Sequence, residues 1–313
     1  TPEIQDFALD LRYVPEKFGP VLGLFVPGDL VGAEEQTLSL RVSGRATAAE
    51  LKGVLGMKLD AYRYQGIQVS GPVDGTLEGG ILSLKAPLQE TAGGVIEGIA
   101  NVDLREAKDN PESVFTLAAV NVAINEETSK MLERLHPIFH LIEGSGRLTG
   151  TAEWDASLVW KGPLEAGGDA VATATRSLAG DGKLLVKDFT VQGSLFLGTL
   201  LQYLGDGTPG QPGEVSVPKW VIQPNSGRVA YDDCRVFVNG LDMKFRGFVY
   251  FDQRLDMEMD VPITQKLAAK NPGLDRFLGK SLTVPVKGTV ASPSIDFAGA
   301  IANVVKKGLL DQL

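Results

Sequence analysis

Apolar and polar residues alternate with a period of two over long stretches of this chain. From Arg147 to Trp160 the even positions read Leu148, Gly150, Ala152, Trp154, Ala156, Leu158 and Trp160, while the odd positions are mostly polar. Successive side chains of a strand point to opposite faces, so this spacing predicts one long or bent strand with a single apolar face. A second stretch carries the pattern through two strands. Leu241, Met243, Phe245, Val249, Phe251, Leu255, Met257, Met259 and Val261 fall on odd positions, and Asp252, Arg254, Asp256, Glu258 and Asp260 on even ones. The polar step Asp252–Arg254 reads as a hairpin turn between them. One greasy face and one charged face are the mark of antiparallel pairing, because parallel strands covered by helices on both sides are apolar throughout.

Shorter runs predict strands at Thr37–Val42, Val69–Leu77, Ile81–Ala86, Val95–Leu104, Val114–Ile124, Lys183–Val191, Gly227–Val238 and Leu282–Val290. Only glycine-rich breaks such as GPVDG and TLEGG separate several of them, which points to a meander instead of a βαβ series. Four stretches run a strand into a short helical pattern, with Thr47, Asn125, Ser194 and Thr264 standing where a helix cap belongs. These junctions lie 78, 69 and 70 residues apart, the spacing of a diverged repeat of several strands and one helix. A final amphipathic stretch, Ala298–Leu310, puts Ile301, Val304, Val305 and Leu309 on one stripe.

Composition narrows the function classes. With 313 residues, 43% of them apolar, the chain has material for a large core, and 37 glycines and 17 prolines suit many turns. A formal charge of −9 is the wrong sign for neutralising phosphates, so no nucleic-acid partner is expected. The lone Cys234 rules out an intrachain disulfide and leaves the redox compartment unread. No run approaches the ~18 apolar residues of a membrane-spanning helix. The sequence opens on TPEIQDF without a signal-peptide pattern, the expectation being a mature or excised portion whose anchor lies outside it.

Candidate chemistry is sparse. His136 and His140 have the i, i+4 spacing of a metal pair, with Glu133 and Glu143 near, but Pro137 between them breaks the helix that would align them. The carboxylates at 252, 256, 258 and 260 alternate along one strand face, as a solvated surface requires. Asp232-Asp233 reads as a turn, GDGTPGQPG as a loop without a phosphate-binding pattern, and Cys234 as a packed thiol. No catalytic residue, metal site or cofactor is therefore expected. What remains is apolar surface, to be covered by helices, by a second sheet or by a guest.

The closing segment SLTVPVKGTVASPSIDFAGAIANVVKKGLLDQL, preceded by FRGFVYFDQRLDMEMDVPI, resembles the C-terminal region of AsmA-like proteins, which are related to TamB-type assembly factors. The likeness rests on a strand ending V-x-G-T, an S-P-x-I-D-F stretch and a terminal amphipathic helix. GDGKLLVKDFTVQGSLFLGTLLQYL is similar to another stretch of that family, and the resemblance covers best about residues 140 to 313. It implies a repeating β-groove or β-taco in the cell envelope, a hydrophobic interior tied to lipid traffic and outer-membrane integrity, and an N-terminal anchor that this chain lacks.

The combined expectation is a mostly β (α+β) fold. It has one long curved antiparallel sheet of β-groove type, with several short helices at strand ends and edges. Residues 1–140 form an N-terminal groove portion and 141–313 an AsmA-like portion of the same sheet. The expected task is non-enzymatic binding or conduction of lipid in the periplasm, phospholipid being the foremost partner. The expected lining is Met243, Phe245, Val249, Phe251, Leu255, Met257 and Met259, extended by Trp154 and Trp160. Methionines suit such a lining because the thioether adapts to varied chains. Val304, Val305, Lys306, Lys307 and Leu309 are candidates for membrane contact, with packing of their helix on the sheet end as the competing expectation. The alternative function is a structural or protein-interaction module with a closed apolar core, recruiting partners by edge-strand addition.

Overall fold

A computed structural model describes residues 3–13, 29–30, 36–45, 47, 50–64, 67–91, 93–105, 111–125, 128–129, 132–133, 135–141, 146–162, 170–204, 212–238 and 240–310. Its centre is one antiparallel sheet of 16 strands in which neighbours in sequence are neighbours in space. The strands are β1 (Glu3–Tyr13), β2 (Asp29–Leu30), β3 (Gln36–Arg45), β4 (Lys52–Tyr64), β5 (Ile67–Glu78), β6 (Ile81–Thr91), β7 (Gly94–Asp103) and β8 (Glu112–Ala123). They continue as β9 (Arg147–Lys161), β10 (Leu178–Gln192), β11 (Gly213–Ile222), β12 (Arg228–Val238), β13 (Leu241–Tyr250), β14 (Leu255–Pro262), β15 (Ser281–Gly288) and β16 (Pro293–Ile295). The order runs β1, then β3 through β16 without crossover, and β2 pairs off this path with β4. The helices are α1 (Ala170–Ser177), α2 (Leu195–Leu204), α3 (Gln265–Lys270) and α4 (Phe297–Leu310), with 3-10 turns at Pro137–Phe139 and Pro272–Phe277.

The mostly β antiparallel meander expected from alternation is what the chain forms. The 147–160 run is β9, and the odd-position run is the β13–β14 hairpin, whose turn Gln253 closes with a positive φ of 68°. Two local expectations are corrected. The stretch after Thr47 is not a helix: Glu50 and Leu51 N–H groups turn back onto the Thr47 carbonyl, and the chain enters β4 at Lys52. Pairing with β3 on one side and β5 on the other overrides the helix propensity of its alanine, glutamate and leucine residues. GPVDG is likewise no break, because it lies inside β5.

Contacts divide the chain into two compact units. The first holds Thr1–Ala123, Glu153–Asp181 and Gln223–Ser226, and the second holds Ile124–Ala152, Gly182–Ile222 and Gly227–Leu313. They differ in how their apolar faces are treated.

In the second unit the odd face of β13 and β14 is buried almost completely. Two helices are held by caps read from the sequence: Ser194 Oγ accepts from Leu197 N–H at 3.4 Å, and Thr264 Oγ1 from Leu267 N–H at 3.2 Å. Asn125 and Thr128 form a reciprocal cap, each side chain accepting the other's backbone N–H. The helix α2 sequence LFLGTLLQYL is apolar nearly all round, so it can rest only on other apolar surface. Phe196 of α2 reaches Phe245 of β13 with ring centres 5.9 Å apart, and His136 meets the same ring edge to face at 4.5 Å. Each large side chain shut away in this manner contributes about 1.5–3 kcal/mol.

Candidate functional site

The first unit builds its apolar face from small and aliphatic residues in register. Residues directly opposite in an antiparallel pair share a face. Leu40 stands opposite Leu55, Leu55 opposite Gly75, Gly75 opposite Leu84, Leu84 opposite Ala100, and Ala100 opposite Phe115. One continuous row therefore crosses six strands, β3 to β8. A parallel row runs Leu38, Met57 and Val73, and Phe7 and Leu9 of β1 add to the far side opposite Val42 and Leu40. Trp154 of β9 packs against Ile96, Ala119 and Val122, so the apolar side of β9 joins the same face, and the alternation carries Trp160 with it.

This face differs from that of the second unit in coverage. Leu38, Leu40, Leu55, Met57, Leu84, Phe115, Trp154 and Trp160 are only half-buried. Leu117 is 38% exposed and Phe7 48%. Burial deepens toward one end, where Val73, Ile96, Ala119 and Val122 are closed off. Glycines keep the floor low between the leucine rows: an added Cβ at Gly98 would meet nothing nearer than Leu117 Cδ1 at 3.8 Å. At Gly75, by contrast, the Leu84 and Leu55 side chains already fill the gap. Among the described side chains of this face none is charged. Three polar residues interrupt it: Ser113, Gln89 and Thr91, all buried. Ser113 Oγ accepts the Asp103 N–H at 3.0 Å.

The lining residues expected from the sequence fall into two groups. Met243, Phe245, Val249, Leu255, Met257 and Met259 are not an uncovered lining: they are the interior of the second unit. The physical reason is the capped helix that follows each strand run, which seats apolar side chains on that face. Tyr231 shows how tightly the interior is used, its hydroxyl donating to Met257 Sδ at 3.7 Å. Phe251 is half-buried in the hairpin turn, outside the strand alternation. Trp154 and Trp160 stand on the half-covered face of the first unit. The residues of that face in β3 to β8 were missed, although their alternation in VLGMKL and GILSLKA is visible once a strand is admitted there.

The remaining candidates have structural surroundings. His136 accepts the Ile138 N–H at Nδ1 and lies in an aromatic shell of Phe196, Tyr231 and Phe245, and burial pushes its pKa down to about 3. His140 instead pairs with Glu133 at 2.8 Å, so the two imidazoles take separate partners. Cys234 is buried opposite Phe245, which raises its thiol pKa far above the ordinary value. Asp232 and Asp233 ride the irregularity in β12 between Tyr231 and Cys234, not a turn between strands. The carboxylates of β14 form a cross-strand ladder: Arg246 reaches Glu258 and Asp260, each at 2.7 Å, and Lys287 binds Asp256. Those bonds, with the one to Asp260 foremost, raise the Arg246 pKa.

In α4, Val304 and Val305 are half-buried and Lys306 exposed, while the side chains of Lys307 and Leu309 lie outside the described residues, as do residues 205–211 of the GDGTPGQPG loop. Val305 packs on Gly273, where any added Cβ would fall 2.9 Å from its methyl, and Arg276 bonds its carbonyl. No described helix is long and apolar enough to cross a membrane. Comparison with protein-family models, curated proteins and solved structures gives no match to this chain.

Proposed function

We propose that this protein binds the acyl chains of lipid on the uncharged, half-covered sheet face of its first unit, as a non-enzymatic component of a bacterial cell envelope. The observation that carries the reading is the row Leu40, Leu55, Gly75, Leu84, Ala100 and Phe115 with its neighbours, apolar across six strands and still open to solvent. Exposed apolar patches of this extent mark interaction sites. Strands spaced by about 4.8 Å make six of them about 24 Å wide, and each methylene of a guest removed from water adds about 0.8 kcal/mol. A chain with half of its methylenes covered is thus held without any headgroup contact. The resemblance to AsmA-like proteins supports the periplasmic setting, lipid traffic and a role in outer-membrane integrity.

The test is native mass spectrometry and solvent extraction of gently purified protein, followed by titration with a fluorescent fatty acid. Co-purifying lipid and saturable binding are the expected result. Protein that carries no lipid and rejects the fatty acid overturns the proposal. A second reading applies to the C-terminal half: its sealed interior favours a structural role, in which the second unit stabilises the sheet and offers surface to protein partners.

A further inference from the structure

Gln89 and Thr91 stand out because the fold makes a special arrangement to place them. Along β6 the apolar face is occupied by Leu82, Leu84 and Ala86, all even positions. Simple alternation would then bring Glu90 onto that face. Instead the register slips between Ala86 and Gln89 at Pro87, so that Gln89 faces Ile96 and Thr91 faces Gly94. A bulge of this kind re-aims side chains and bends the strand. Here it removes a carboxylate from the face and brings in two neutral polar groups.

Both groups are then left short of partners. Gln89 is 3% exposed and Thr91 4%. The Gln89 amide nitrogen donates to the carbonyls of Pro72 and Pro87, which fixes the orientation of the amide. Its Oε1 and the Thr91 hydroxyl have no hydrogen-bond partner. Gly71, at a φ of +151°, makes the room, since a Cβ there would come within 2.8 Å of the amide. A buried polar atom without a partner costs about 1–3 kcal/mol, and folded proteins rarely tolerate one without a use for it. Ser113, the other polar residue on this face, is satisfied from within the chain.

Resting on the acyl-chain reading above, we infer that Gln89 and Thr91 receive the polar end of the guest, and that the preferred guest is an acyl lipid with a neutral, hydroxyl-bearing head. Gln89 Oε1 only accepts, so it selects a donor such as an O–H. The Thr91 hydroxyl both donates and accepts, so it suits a hydroxyl or an ester carbonyl. No basic side chain stands on the described face to neutralise a carboxylate or phosphate, and the desolvation of such a charge would go uncompensated. The deep end holds the head, and the tail runs along Leu84 and Ala100 toward the exposed Leu117.

The test uses the full chain and competition against a bound fluorescent acyl probe. The competitors are a long-chain monoacylglycerol, the same molecule with its hydroxyls methylated, and the matching fatty-acid anion. Wild type should prefer the free-hydroxyl form over the methylated one by about tenfold, the worth of one buried hydrogen bond. Thr91→Val keeps the shape and deletes an unsatisfied hydroxyl. It should melt no lower than wild type, bind the methylated lipid unchanged and lose the preference. If that variant fails to fold, Gln89→Met carries the same expectation for selectivity. Equal affinity of wild type for both neutral competitors, or tighter binding of the anion, overturns the inference while leaving the acyl-binding face intact. Failure of the probe itself to bind overturns the acyl-chain reading instead.

Discussion

His136 offers the sharpest test of whether the second unit is closed. Its ring is fully buried among Phe196, Tyr231 and Phe245, and its one polar contact is with the Ile138 N–H at Nδ1. Accepting there requires the proton to sit on Nε2, which has no hydrogen-bond partner. Protonation would remove the acceptor and place a charge among aromatic rings. The folded pKa accordingly falls from 6.5 to about 3, with burial as the cause. Unfolded chain takes up the proton first, so the stabilisation is fully present above pH 6.5 and is lost as pH falls toward 3. At about 1.4 kcal/mol per pH unit, moving from pH 7 to pH 5 removes about 2 kcal/mol.

The assay is urea denaturation between pH 7.5 and 4.5 of wild type and His136→Phe, followed by a signal from the second unit. Other groups titrate too, but they are common to both proteins and cancel in the difference. The variant loses some stability at every pH through the stranded Ile138 N–H, and that loss does not depend on pH. The difference between the two proteins should therefore shrink by about 2 kcal/mol between pH 7 and pH 5. Parallel profiles would refute the reasoning and mean that the ring reaches water.

A pair of substitutions separates the two faces. Met257→Glu puts a carboxylate into the sealed interior and should abolish the cooperative unfolding transition at neutral pH, whereas Leu117→Glu, on the exposed end of the other face, should leave melting within a few degrees and weaken fatty-acid binding; circular dichroism melts and the fluorescent titration read both. Thr264→Ala removes the cap of the six-residue helix α3 and should cost about 1 kcal/mol by denaturant titration, with acyl binding unaffected.

Strand positions were legible because a half-buried strand writes its period into the sequence. Arg147–Trp160 and Leu241–Val261 illustrate this, and both are strands with the faces that alternation assigns. Coverage was not legible. Met257 and Leu55 sit in equally regular alternations, yet one is sealed and the other half open. The difference is set by segments distant in sequence, such as α2, whose Phe196 arrives on Phe245 across nearly 50 positions. The stretch Lys52–Tyr64 was misread because Ala49, Glu50 and Leu51 favour helix locally, whereas pairing with neighbours on both sides decides the matter. The polar pair at Gln89 and Thr91 did leave a trace: apolar positions change from even to odd at Pro87, and a parity switch beside a proline is a signal of a bulge.

Side-chain size explains why one sheet supports two outcomes. The second unit's face is crowded with phenylalanine and methionine, matched by helices of the same character, and interlocking leaves nothing to add. The first unit's face alternates leucine with Gly53, Gly75 and Gly98, a surface too shallow to interlock and too apolar to leave in water. A guest that covers it should therefore stabilise the first unit by mass action, by about 2.7 kcal/mol at a hundred times its Kd. For amides that exchange only by openings that release the guest, this slows exchange about a hundredfold. Hydrogen exchange with a saturating fatty acid should show that protection in β5 to β8 and no change in β12 to β14, whose cover is already the chain's own. Protection arriving in β12 to β14 instead would mean that the interior around Met257 opens to admit lipid, and the division of labour between the two faces would be reversed.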